Sequence, residues 1–345
     1  NTGRLNTDQL KESRRIVEEA IEKYGRGEPL SYHLNRDPVL KFHFRYSVFG
    51  QRVDEYWNGP EEYKGTNIIG INPLREKLSA LEDSGETDTY EYRYYQKRLE
   101  KELAIGEPVF EDLAVWNHFF IMFDSMLIIL LLLMVLTYFI SPLFTQEIKT
   151  EMDNIILCSV KGRREIVTAK LMSAALTSGI LASVYLLASF IGMFMGGQGS
   201  LSGFDAPARC LEGFQYTMLN MTVGEVALLE SAWLILATIV FGLALSLISS
   251  LMKNHSAAFG LGIVILLSGI MTDALSDKIK ALLWPVVDFN FGKLALFMNI
   301  FGGTKAYNIL GAPVSYGLVA FLICLVLSAM ACILTYIAQR KRAVV

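Results

Sequence analysis

The sequence predicts an all-α, polytopic helical membrane protein that carries a helical, water-exposed domain at its N-terminal end. Three observations predict it. Of 345 residues, 52% are hydrophobic, and the mean hydropathy is +0.38, a balance that a water-soluble chain of this size seldom carries. The apolar residues are segregated: residues 1–115 are rich in charge and most of the remainder is not. Several of the later apolar runs approach or exceed the roughly 20 residues needed to cross the hydrocarbon core of a bilayer. Two solvents therefore act on one chain, water first and lipid after it.

In the charged part, residues 7–24 place Leu10, Ile16, Val17, Ala20 and Ile21 at helical spacing, with Thr7 as the expected N-cap and the GRGEP stretch at 25–29 as the stop. Residues 30–73 are dense in aromatics (Tyr32, Phe42, Phe44, Tyr46, Phe49, Tyr56, Trp57, Tyr63) and predict short helices and loops. Pro73 opens a second helical stretch over 74–104, interrupted near Ser84 and Gly85. Its YEYRYYQKRLEKEL sequence is too charged to enter lipid. The GEP triplet at 106–108 marks the boundary between a domain of residues 1–115 and a membrane domain of residues 116–345.

The membrane domain holds apolar runs at 116–141, 166–195, 226–250, 256–272 and 314–338, about five spans at the usual length requirement. Lysine and arginine set the orientation. Lys149, Lys161, Arg163 and Arg164 lie in the 142–165 loop, Lys253 in the next turn on that side, and Arg340, Lys341 and Arg342 in the tail. That side is expected to be cytoplasmic, with residues 1–115 outside the cell and the C-terminus inside. Lys278, Lys280, Lys293 and Lys305 oppose this count and are read as snorkelling at the interface. An outside N-terminal domain implies a further, first span upstream of Asn1. Residues 273–313, with two apolar patches too short to span, predict re-entrant or interfacial helices.

Several chemistries are excluded by what the motifs lack. The four histidines are scattered without metal-ligand spacing, and no HExxH, GxSxG or GxxxxGK[ST] occurs. The four cysteines form no CxxC pair, so neither a disulfide framework nor a zinc site is expected. A net charge of −3 without a basic run gives no footprint for nucleic acid.

The most specific stretch is 144–171, FTQEIKTEMDNIILCSVKGRREIVTAKL. Glu147, the apolar pair Ile156 and Leu157, Ser159, the Gly162–Arg163 pair, and Lys170 eleven residues after Ser159 follow a recognisable order. This stretch resembles the cytoplasmic segment of ABC-2 type permeases, the membrane subunits of bacterial ABC exporters of the lantibiotic and peptide kind. Glu151 and Met152 stand where that family carries Gly-Thr, and Val160 where many members carry Pro. The domain at 1–115 is not general to the family and resembles insertions in some Gram-positive members.

The resemblance implies a 144–165 coupling segment through which a separate ATPase moves the spans. Ile148, Met152, Ile155 and Ile156 would form the apolar face of a short lever helix, Lys149, Glu151 and Asp153 its wet face, and Gly162 the turn into the next span. Arg163 and Lys170 would meet lipid phosphates or acidic partner residues; the plainer reading of Arg163 is an orientation anchor. The implied partners are cytoplasmic ATP-binding subunits, which would bind ATP and magnesium, and a second permease copy, identical or not. No cofactor is expected in this chain. A hydrophobic or amphipathic cargo (peptide, lantibiotic or lipid-like) would leave the cell along the apolar spans. Asp124 and Glu230, carboxylates within apolar runs, are candidates for the pathway. Gly192 and Gly196 form a GxxxG candidate for helix packing. The competing reading is a membrane-anchored sensor or scaffold whose outer domain binds a ligand.

Overall fold

The computed structural model describes residues 5–24, 30–60, 68–150, 152, 162–196, 202–272, 278–279, 283–284 and 287–341. The fold is mostly helical, at 76%. The chain falls into two compact units. The polar unit comprises residues 1–114, 202–224 and 302–314; the apolar unit comprises 115–201, 225–301 and 315–345.

In the polar unit, α1 (Thr7–Tyr24) is capped by Asn6, not by Thr7: the Asn6 carboxamide oxygen accepts the amides of Asp8 at 3.0 Å and Gln9 at 3.2 Å. Asparagine is a strong cap because its short side chain reaches those amides from extended backbone. A short α2 (Leu30–Arg36) follows. The aromatic-rich stretch then forms one 21-residue helix, α3 (Pro38–Asn58), rather than short pieces. Its start was legible: Asp37 accepts from the Val39 and Leu40 amides at 2.9 and 3.1 Å, and Pro38 takes the first helical position. Tyr46, Phe49 and Val53 lie on its buried face, and Phe110 closes over them with its ring centroid 5.1 Å from that of Tyr46. Leu10 of α1 lies against Gly50, where any Cβ would sit 2.3 Å from it.

Helix α4 (Ile71–Asp83) buries Ile71, Leu74, Leu78 and Leu81. Helix α5 (Tyr90–Ile105) follows the break at Gly85 and is capped by Thr89, whose hydroxyl accepts the Tyr92 amide at 3.2 Å. After the second apolar patch of the 273–313 segment, residues Ala306–Ile309 (β1) and Ala312–Ser315 (β2) form a two-stranded hairpin. It is fastened to α5: Arg93 donates to the Gly311 carbonyl at 3.2 Å, Tyr94 to that of Thr304 at 3.0 Å, and Lys97 to that of Pro313 at 3.0 Å. Its turn is Leu310–Gly311, both with positive φ (53° and 83°), the geometry a two-residue hairpin prefers. For leucine that backbone costs on the order of 1–2 kcal/mol.

The apolar unit opens with α6 (Ala114–Phe123) and α7 (Met126–Ile140). It continues with α8 (Pro142–Lys149), α9 (Gly162–Gly196), α10 (Val223–Leu251) and α11 (His255–Met271). The short α12 (Phe291–Leu294) and α13 (Phe297–Phe301) precede α14 (Tyr316–Lys341). Among the described residues four stretches are long and apolar enough to cross a membrane: Met126–Glu147, Arg164–Gly196, Val223–Leu251 and Tyr316–Lys341. The chain is therefore membrane-associated. The expected span at 256–272 is α11, which at 17 residues is shorter than those four.

Ile129, Leu133, Leu136 and Ile140 line one face of α7 and pack on Ala174 of α9, on Ala237, Phe241 and Leu245 of α10, and on Leu266 of α11. Small residues let these helices close up. A Cβ at Gly242 would fall 2.0 Å from the Ser178 hydroxyl, and one at Gly262 would fall 2.7 Å from Thr137. By contrast, Leu176, Ile180, Val184, Leu187 and Ile191 leave an exposed apolar stripe along α9.

Candidate functional site

The junction of α7, α8 and α9 gathers the described residues of the candidate coupling segment. Pro142 begins α8 and has no amide to continue the α7 ladder, so the chain is tied by side chains there. Ser249 of α10 donates to the Ser141 carbonyl at 2.8 Å and accepts the Phe144 amide at 3.0 Å. The Ser141 hydroxyl is 2.9 Å from His255 Nδ1, at the start of α11. One turn on, Glu147 is ion-paired with Lys170 of α9. The Lys170 ammonium also lies 4.3 Å from the centroid of the Phe144 ring. Lys170 is almost enclosed, with 11% of its side chain exposed against 30% for Glu147. An ion pair so shielded binds its helices more firmly than a surface pair, because less water competes for the charges.

Glu147 and Lys170, each singled out by the resemblance, are thus in direct contact. Gly162 and Arg163 form the first turn of α9, their side chains lying outside the described residues. Glu151, Ile155, Ile156 and Ser159 also lie outside the described residues.

Asp124 sits in the break between α6 and α7. Its two carboxylate oxygens accept the backbone amides of Phe297 at 2.7 Å and Met298 at 3.1 Å. It thereby caps α13 from the α6–α7 break, satisfying amides that would otherwise be buried without partners. Glu230 of α10 is 1% exposed, and neither carboxylate oxygen has a hydrogen-bond partner among the described residues. It lies within electrostatic reach of Asp124 and Tyr185. A buried carboxyl without hydrogen bonds is costly. Around Gly192 and Gly196 nothing among the described residues comes within 4 Å of an added Cβ. Among the described residues, tight helix approaches occur at Gly50, Gly242, Gly262 and Gly317.

The polar unit holds a second constellation that sequence reasoning missed. Arg209 is 2% exposed. It pairs with Glu102 of α5, donates to the Gly106 carbonyl, and lies 5.0 Å from the centroid of the Tyr56 ring. Beside it, Arg52 donates to the Cys210 carbonyl at 2.7 Å, and Tyr216 donates to Glu55 at 2.9 Å. Arg52, Glu55, Tyr56, Gly70, Glu102 and Arg209 line a cleft of about 20 Å³, room for roughly one water. Burial raises the Tyr56 hydroxyl above its ordinary pKa, and the Arg209 charge offsets part of that rise. The signal for Arg209 in the sequence was faint: it is the one lysine or arginine between residues 196 and 225.

Among the described residues no group of three or more His, Cys, Asp or Glu side chains is arranged to hold a metal ion. Comparison with protein-family models, with curated proteins and with solved structures returns no match.

Proposed function

We propose that this chain is the membrane subunit of an ABC-type exporter and moves a hydrophobic or amphipathic substrate, driven by a separate ATPase. The observation that carries the reading is the Glu147–Lys170 pair. It fastens α8, where the segment resembling a coupling helix begins, to a 35-residue helix that runs through the apolar unit. A push on that segment would reach α9 through a shielded charge contact and the Ser141–Ser249–Phe144 hydrogen bonds behind it. The broad apolar face of α9 suits lipid or a second permease subunit, in keeping with a dimer. On this reading residues 1–115 lie outside the cell and the 144–165 segment lies in the cytoplasm.

The test is to purify the full-length protein with its neighbours and measure ATP hydrolysis. Glu147→Lys and Lys170→Glu should each lower the stimulated rate at least several-fold, and the double swap should recover part of it. Wild-type rates in both single variants, with assembly unchanged, would remove the coupling role.

The second reading, a membrane-anchored sensor, rests on the charged cluster of buried Arg209 and Glu102 with half-buried Arg52 and Glu55 in the polar unit, whose cleft would have to widen beyond the space of about one water to take a ligand. A complex that retains no ATP-hydrolysing partner, together with a small ligand held by the polar unit, would select it over the exporter.

A further inference from the structure

Helix α5 buries a cation that no described residue neutralises. Arg98 is 2% exposed, and its Nε and Nη2 atoms have no hydrogen-bond partner among the described residues. A buried lysine or carboxyl can shed its charge by losing or gaining a proton. Arginine cannot, because its guanidinium stays protonated at every ordinary pH. A charge left alone away from water is among the costliest groups a fold can hold. The carboxylates on the same side of α5 are engaged elsewhere. Glu102, four positions on, pairs with Arg209, and Glu91, seven positions back, pairs with Lys77 of α4 at 2.9 Å. Glu100 is exposed and lies two positions on, where a helix turns the side chain to another face.

A second cation lies beside it. Lys101 is three positions from Arg98 and four from Lys97, spacings that make side chains neighbours on a helix. It is half-buried, and burial together with the Lys97 charge holds its ammonium below its ordinary pKa. Among the described residues no carboxylate is ion-paired with Lys101 or with Arg98. The Lys97 ammonium donates to the neutral Pro313 carbonyl at 3.0 Å, which leaves its charge uncompensated. The two unpartnered nitrogens of Arg98 share one edge of the guanidinium, and their N–H bonds run side by side. That edge fits the paired oxygens of a carboxylate or a phosphate. The buried side of α5 therefore carries an open two-pronged donor with a further positive charge about one turn away.

We propose that Arg98 and Lys101 form an oxyanion-binding site in the polar unit, where a phosphate or carboxylate group meets the Nε–Nη2 edge of Arg98 at two points and the Lys101 ammonium by charge. Because Arg98 is enclosed, the group it admits is a small anion or the terminal group of a larger ligand. The site is separate from the Arg209 cleft, whose lining does not include Arg98 and whose two arginines are matched by Glu55 and Glu102. Supplying the missing negative charge stabilises the folded α5 over its opened form by mass action. The site rests on the surroundings of α5 and not on the export reading, so either can fail without the other.

The experiment uses the full chain in detergent, in a starting buffer free of phosphate and carboxylates with ionic strength set by sodium chloride. Amide hydrogen exchange across residues 90–105 is followed by mass spectrometry while inorganic phosphate or acetate is added at constant ionic strength. Exchange should slow along a saturable curve, by about tenfold at about ten times the dissociation constant, with peptides of α1 unchanged. A response to phosphate alone assigns a phosphate ligand, and one to acetate alone a carboxylate ligand. Arg98→Leu should protect α5 better than wild type in the starting buffer, since it deletes the stranded charge, and should lose the response to both probes. Arg98→Lys keeps a charge without the paired donors and should need about tenfold more anion for the same effect. No saturable response in the wild type overturns the proposal. So does Arg98→Leu that still responds as wild type does, or that loosens α5 before any anion is added, because the guanidinium would then have its partner within the chain.

Discussion

Removing the Arg209 guanidinium should loosen the polar unit far more than an ordinary surface substitution. The side chains of Arg209 and Glu102 are 1% and 8% exposed, so little water screens them. Breaking a buried pair by deleting one partner costs about 3–5 kcal/mol, mainly because the surviving charge is left without compensation. Arg209→Met keeps much of the aliphatic volume while stranding the Glu102 carboxylate, and it gives up the hydrogen bond to Gly106 and the contact with Tyr56. The expected loss is about 4 kcal/mol, close to a thousand-fold at 1.4 kcal/mol per factor of ten. Adding Glu102→Leu removes the stranded charge, and the double variant should recover at least half of the loss, since an apolar pair of similar size often replaces a buried ion pair at little cost. The assay is hydrogen exchange with mass spectrometry on the full chain. It follows the amides of Cys210, Leu211, Phe214 and Thr217, all hydrogen-bonded within the segment that Arg209 anchors. An increase in exchange below about tenfold for Arg209→Met, equivalent to under 1.4 kcal/mol, would refute the reasoning. So would a double variant as loose as the sum of the singles.

Three further outcomes follow from the packing. Glu230→Leu should raise the thermal midpoint in detergent, because it deletes a buried carboxyl with no hydrogen-bond partner among the described residues and a buried unsatisfied polar group costs about 1–3 kcal/mol; a lower midpoint would reveal a partner for the acid. Gly242→Ala should cost about 1–3 kcal/mol by pressing on Ser178, with Ser178→Ala restoring part of it, whereas Gly192→Ala meets open space and should stabilise α9 by roughly 0.5–1 kcal/mol; equal melting temperatures for the two variants would contradict the packing. Asp37→Ala should lose about 1 kcal/mol through the α3 cap, read as faster amide exchange confined to Val39, Leu40 and their neighbours, and unchanged exchange there would dismiss the cap.

Much was legible in the order of residues. The long apolar runs announced α7, α9, α10 and α14, because a bilayer demands length and low polarity and those are properties of a single segment. The charge of residues 90–105 kept α5 out of lipid for the same reason. The break at Ser84–Gly85 and the order of Glu147 and Lys170 were also visible in one dimension. Where prediction and structure differ, the cause is local detail. The α3 helix was hidden by its aromatic density, although Asp37–Pro38 signalled its start, and Asn6 outranked Thr7 as a cap because its carboxamide reaches two amides at once.

Other features needed the chain to meet itself. The 202–224 and 302–314 segments join the polar unit through Arg209, Arg52 and the carbonyls that hold Arg93 and Lys97, partners separated by more than 100 residues. No periodicity encodes such pairings. The same holds for Asp124, whose carboxylate serves backbone amides 173 and 174 positions away, and for Glu230, whose isolation is a property of its surroundings and not of its neighbours in sequence. The sequence by itself determined which segments prefer lipid and which prefer water, since transfer free energy is nearly additive along a segment. Only the tertiary structure decided which charges are paired and which are stranded, since those depend on distances between groups that the chain brings together only on folding.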